Sequence, residues 1–138
     1  MISEQDAVRR LVLICPEFHD SLVSYRESGG SDEESFNLIG DLADWVVSQM
    51  KAGDYRCFQE LFNEYEAILS DASPDARQVL VIGFMEDLHN LTVRFHKQAD
   101  QMDPDALLPY LGSKSSNEWF TLVRQYLEWG ETWPGRHA

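Results

Sequence analysis

Ser73–Phe95, SPDARQVLVIGFMEDLHNLTVRF, is the stretch on which the fold turns. Ser73 can accept a hydrogen bond from a free first-turn N–H, and Pro74 at the first helical position gives up no useful donor. Asp75 then sits where the positive end of the helix dipole favours a carboxylate. Val79 to Phe84 is apolar except for Gly83, and Leu80, Phe84, Leu88, Leu91 and Phe95 continue one stripe at helical spacing. Val81, Ile82 and Met85 widen that stripe beyond a single face. A helix apolar over most of its circumference is normally enclosed by other helices. Gly83 costs about 1 kcal/mol relative to Ala inside a helix, which fits a neighbour crossing closely there. The spacing therefore predicts a central helix around which the rest of the chain packs.

Working outward, Ser3 with Asp6 three residues on resembles a capping pair that opens a first helix. Leu11, Val12, Ile14 and Cys15 are its apolar end, and Pro16 kinks or stops it by removing a donor and crowding the preceding turn. Glu17 to Ser28 reads as a second helical piece bearing Phe18, Leu22 and Tyr25, closed by Gly29-Gly30. From Asp32 to Met50, Phe36, Ile39, Leu42, Ala43, Val46 and Met50 recur at three- and four-residue steps, an amphipathic helix with Trp45 and Val47 beside the stripe. Gly53 ends it and Asp54 is expected to cap the next, whose inner face is Tyr55, Phe58, Leu61, Phe62, Tyr65, Ile68 and Leu69 up to Ala72. Past the central helix, Asp103-Pro104 opens a short helix with Leu107, Leu108 and Leu111, closed by Gly112. The last helix starts at Ser115 or Ser116, with an expected inner face of Trp119, Phe120, Val123, Tyr126 and Leu127, and stops at Gly130. No segment shows sustained strand alternation between hairpin turns, so the chain reads as all-α. Short connections favour antiparallel neighbours. The expectation is a single domain over 1–138, a helical bundle or short stack of antiparallel helix pairs with about six to seven helices.

Hydrophobic residues make up 43% of the 138, which suits an ordinary globular domain. The chain has 24 acids against 11 bases, a formal charge of −13. Phosphate neutralisation needs a basic surface, so direct nucleic-acid binding is disfavoured, and anionic membrane surfaces for the same reason. The start, MISEQDAVRRLVLICPEF, does not read as a secretory signal, and no apolar run approaches the ~20 residues that span a bilayer. Cys15 and Cys57 lie among apolar neighbours and read as buried free thiols of a cytoplasmic protein rather than a disulfide.

Glu86 and His89 form a Glu-x-x-His step with His96 two turns beyond, but carboxylate-bridged metal bundles need that step on two helices. Neither cysteine has a CxxC partner for zinc. No GxSxG elbow or phosphate-cradling glycine loop occurs. We therefore expect no catalytic residues, metal or cofactor. Charge is the remaining feature. Residues 1–72 hold 15 acids and 5 bases, a balance of −10, and residues 73–138 hold 9 acids and 6 bases, −3, which together make the −13. The candidate partner-binding residues are Asp32, Glu33, Glu34, Asp41, Asp44, Glu60, Glu64 and Asp71 in that acidic half. Trp129 and Trp133 join them, since aromatics often anchor interfaces.

Gly53-Asp54-Tyr55, Phe58, Leu61-Phe62, Tyr65-Glu66 and Ile68-Leu69, followed by Val81 and Gly83-Phe84-Met85-Glu86-Asp87-Leu88, resemble small bacterial helical proteins of immunity type over about residues 40–92. In that group a "GDY…F…YE" helix precedes a "V-x-GF-(L/M)-E-(D/N)-L" helix. The resemblance implies a cytoplasmic protein, a monomer or weak dimer, that binds and occludes a cognate bacterial toxin with a basic surface. A nuclease toxin fits the charge best, because its cleft must hold phosphates. The alternatives are a protein-binding adaptor or regulator with no toxin partner, and a small enzyme with a site around Glu86, His89 and His96.

Overall fold

Ser73 and Pro74 open the central rod as their chemistry requires: the Ser73 hydroxyl accepts from the Ala76 N–H at 3.1 Å, with Pro74 in the first turn. The structure, a computed structural model, describes residues 1–20, 35–95 and 102–131. Its elements are α1 (Glu4–Val12), α2 (Ser35–Ala52), α3 (Phe58–Ser70), α4 (Pro74–Gln78), a π-helical stretch (Val79–Glu86), α5 (Asp87–Phe95), a 3-10 helix (Pro104–Tyr110) and α6 (Ser113–Glu128). Residues 16–20 are helical too. The fold is all-α, as the periodicities predict. A lone parallel bridge between Ile2 and Ala72 ties the N-terminus to the end of α3.

The rod formed by α4, the π stretch and α5 lies between α2 on one side and α6 on the other, while α1 packs on α2, α3 and α4. Its buried residues Val79, Leu80, Phe84, Met85 and Leu88 meet Ile39, Leu42, Ala43 and Val46 of α2 and Phe62 and Tyr65 of α3 in one core. The rod is not a uniform α-helix. Over Val79–Glu86 the ladder widens to the i→i+5 pattern. Here the Tyr65 hydroxyl lies 3.0 Å from the Leu80 carbonyl oxygen. A side chain reaching into the ladder is a recognised cause of such local change, and Gly83, a poor helix former, sits in the middle of it.

Three further expectations need correction. Asp54 does not cap α3, which starts three residues later than that reading requires. Its carboxylate instead accepts from the Arg56 N–H and side chain, and Cys57 stands at the helix start without a capping side chain. On α6 the inward stripe is Trp119, Leu122, Val123 and Tyr126, leaving Phe120 and Leu127 exposed. The 3,1,3 steps put the stripe about a seventh of a turn from the expected one, on the side of Leu122. Cys15 and Cys57 are joined as a disulfide, with Cα atoms 5.9 Å apart, not free thiols. The compartment rule weighed abundance of thiols in cells; it carried no information on the spatial meeting of residues 42 apart.

The start of α6 depends on a residue from another helix. The Glu66 carboxylate on α3 accepts from the Lys114 N–H at 2.6 Å and from the Ser115 N–H at 3.2 Å, satisfying donors that a helix start leaves open. Gly112 makes room for it, since a Cβ there would lie 2.5 Å from the Glu66 side chain. Gly112→Ala should therefore push Glu66 off its cap and cost about 1 kcal/mol. Urea midpoints would show it, and a Gly112→Ala/Glu66→Ala pair should be strongly non-additive because both act on one cap.

Candidate functional site

After α2, Gly53 (φ +72°) reverses the chain in a conformation that favours glycine. The Gly53 N–H donates to the Met50 carbonyl at 3.1 Å and the Asp54 N–H to that of Gln49 at 2.9 Å. This brings Asp54, Arg56 and Cys57 back across Trp45 and Gln49. From the other side, Cys15, Pro16 and Glu17 follow α1. Together with Phe58 and Glu60 these residues line a groove of about 290 Å³. Trp45 is half-buried in it, its ring centroid 5.8 Å from that of Phe18. The Cys15–Cys57 bond joins the two walls.

The groove is negative: Glu17, Asp54 and Glu60 outnumber Arg56, a balance of −2. Arg56 already shows how a guanidinium is held there, bonded through Nε and Nη2 to Asp54 at 2.9 and 2.8 Å and reaching Glu17 at 3.2 Å. Those hydrogen bonds hold the Asp54 carboxyl down at about 2 and push the guanidinium further up. An aromatic face beside carboxylates suits a cationic side chain, through ring quadrupole and charge-assisted hydrogen bonds.

A second polar cleft, of about 570 Å³, runs between the rod and α6, lined by Arg77, Glu86, Lys114, Asn117, Glu118 and neighbours. The Glu118 side chain is only 11% exposed. Its Oε2 lies 2.8 Å from the Tyr65 hydroxyl and its Oε1 3.7 Å from Arg77 Nη2. Burial pushes the Glu118 carboxyl above its ordinary range, against the pull of Tyr65 and Arg77. Burial likewise pushes the Tyr65 hydroxyl well up.

The acidic candidates do not form one uninterrupted ridge. Glu60 lines the Trp45 groove, and Glu64, one turn along α3, is ion-paired with Arg10 of α1. Asp41 and Asp44 are exposed on α2, with Asp41 one turn before Trp45, so they extend the negative field along that helix. Burial, and then Asp44, raise the Asp41 carboxyl. Asp71 is exposed at the far end of α3, where its carbonyl accepts from the Ile2 N–H. Trp129 is 75% exposed just past α6. Asp32, Glu33, Glu34, Trp133 and His96 lie outside the described residues, as does the expected helix beyond residue 20.

Glu86 and His89 part company. Glu86 lines the polar cleft, whereas His89 is buried edge-on against Trp119 and Tyr126, and burial pulls its imidazole pKa down. Among the described residues no group of three or more His, Cys, Asp or Glu is placed to hold a metal ion, and no helix is long and apolar enough to cross a membrane. Sequence reasoning missed Glu118, Glu66 and the disulfide. For Glu118 a signal existed: it is three residues after buried Ser115 and four before buried Leu122, on their shared face.

Fold and grooves define a small acidic helical-bundle domain with a negative groove that includes an aromatic ring in its lining. The family model described as "Domain of unknown function (DUF7674)" matches residues 8–128, and the chain belongs to that family. No curated protein and no solved structure matches it.

Proposed function

We propose that this chain is an immunity-type protein of the cytoplasm that binds a cognate bacterial toxin and occludes its basic surface. The observation that carries the reading is the Trp45 groove, where Glu17, Asp54 and Glu60 surround an aromatic ring within the strongly negative half of the chain. A lysine or arginine from the rim of a toxin's cleft would lie against Trp45 and pair with those carboxylates. The field of the acidic half would steer encounter. Asp41 and Asp44 lengthen that field, and Trp129 is a separate apolar contact. A toxin that cuts nucleic acid suits this charge best, because its active cleft holds phosphates with basic residues.

Co-expression with the toxic domain encoded by the adjacent gene tests the reading. Growth rescue and a complex that survives purification are expected; loss of both removes it and leaves the adaptor reading, in which the same groove serves a host protein. Within a complex, Glu60→Lys should slow association about tenfold at low salt, with the gap closing as salt rises. An unchanged on-rate would take the groove out of the interface.

A further inference from the structure

The Cys15–Cys57 bond occupies an unusual place for a purely structural crosslink. It sits at the edge of the core, with Cys15 in the core cluster and Cys57 packed against it, and it joins the opposite walls of the Trp45 groove, which both residues line. On one wall Cys15 is followed directly by Pro16 and Glu17. On the other, Cys57 is followed by Phe58 and Glu60, with Arg56 and Asp54 before it. Every charged group of the groove is thus within three residues of one of the two sulfurs. The two cysteines are unequal: Cys15 is 1% exposed, whereas Cys57 is half-buried.

We propose that Cys15–Cys57 is a thiol–disulfide exchange site, reduced by a dithiol entering through the groove, whose state sets how firmly the groove's walls are held together. The inference rests on the docking reading only for its consequence, that partner binding would follow the redox state. Exchange needs a thiolate with access to one sulfur. A dithiol attacks Cys57 Sγ, forming a mixed disulfide as the S–S bond breaks. Cys15 leaves as a thiolate and takes a proton, which burial favours. The reagent's second thiolate then attacks its own bonded sulfur, freeing Cys57 as a thiol. The protein gains two electrons and two protons, and the dithiol becomes a cyclic disulfide.

After reduction, non-covalent contacts join the walls, among them Phe18 against Trp45 and the Glu17–Arg56 pair at 3.2 Å, which is exposed and of little strength. The rod and α6 follow the stretch that the bond closes, and neither carries one of its sulfurs. Reduction should loosen residues 13–20 and 54–60 without melting the bundle.

Hydrogen–deuterium exchange on the full chain, with and without dithiothreitol, tests this alongside alkylation under native conditions. The expected result is two alkylated thiols in folded, dithiothreitol-treated protein, with faster exchange confined to residues 13–20 and 54–60. Cysteines that become alkylated only when denaturant unfolds the chain would overturn the proposal. So would identical exchange in both states. Cys57→Ser should reproduce the reduced pattern without reductant; if that variant does not fold, the comparison on the unaltered chain decides. Neither readout uses a toxin, so failure here is distinct from failure of the co-expression experiment.

Discussion

Trp119→Ala should destabilise the fold by about 3–5 kcal/mol, the range for truncating a fully buried large aromatic. Trp119 is completely buried on the inner face of α6, with its ring edge-on to His89 of α5 at 5.7 Å. It also does something an aliphatic cannot. Its indole N–H donates to the Asp105 carboxylate at 3.0 Å, and Asp105 is itself only 4% exposed, just inside the 3-10 helix that Asp103 caps. Alanine would leave a cavity and take a donor from a buried carboxylate together, two costs that add. Trp119→Phe separates them: most of the packing remains and the donor is lost, so a smaller loss of about 1–3 kcal/mol is expected. Urea unfolding of the two variants gives the comparison. A Trp119→Phe loss near zero would mean the indole N–H contributes nothing, and a Trp119→Ala loss below about 1 kcal/mol would place the residue outside the cooperative core.

That tryptophan also marks how far the sequence could be read. The inner stripe of α6 was expected to be Trp119, Phe120, Val123, Tyr126 and Leu127, and three of the five point inward. Periodicity finds a helix and most of its buried face, because burial of apolar surface repeats with the turn. It blurs the stripe's edge where aromatic and aliphatic residues crowd both sides, as Phe120 and Leu122 do. The caps at Ser3 and Ser73 were legible because they depend on residues three apart. The Glu66 cap on α6 was not, since its donors lie 48 and 49 residues away. The same limit hid the groove. Trp45, Asp54 and Glu60 each look ordinary in sequence, and only the Gly53 reversal and the meeting of Cys15 with Cys57 bring them into one cavity. The acidic half was visible as charge, but Arg10 against Glu64 shows that a ridge drawn on a helical wheel can already be neutralised by a neighbouring helix.

Tyr65→Phe should cost about 1–3 kcal/mol, and the reason lies in a count of hydrogens. The Tyr65 hydroxyl is within bonding distance of two acceptors, the Leu80 carbonyl at 3.0 Å and Glu118 Oε2 at 2.8 Å, yet it carries one hydrogen. A second hydrogen completes the chain if Glu118 is a neutral acid donating to the Tyr65 oxygen while Tyr65 donates to Leu80. Burial pushes the Glu118 carboxyl above its ordinary value of 4.5. Glu66 pushes in the same direction, and Tyr65 and Arg77 act against it. A carboxyl raised in the folded state lends stability that is full below its unfolded value and is lost as pH rises through its folded one. Ionisation of Glu118 therefore works against the fold from pH 4.5 upward. Glu118→Gln keeps a neutral group with an N–H for the Tyr65 oxygen, so it should remove that loss. The stability difference between Glu118→Gln and the unaltered chain should grow as pH rises through this window and vanish below it. Subtracting the two curves cancels the other carboxylates, which titrate alike in both. Parallel curves across the window would show that Glu118 is ionised in the folded chain and that Tyr65 gives its hydrogen to the carboxylate, leaving the Leu80 carbonyl to the π-helical ladder alone.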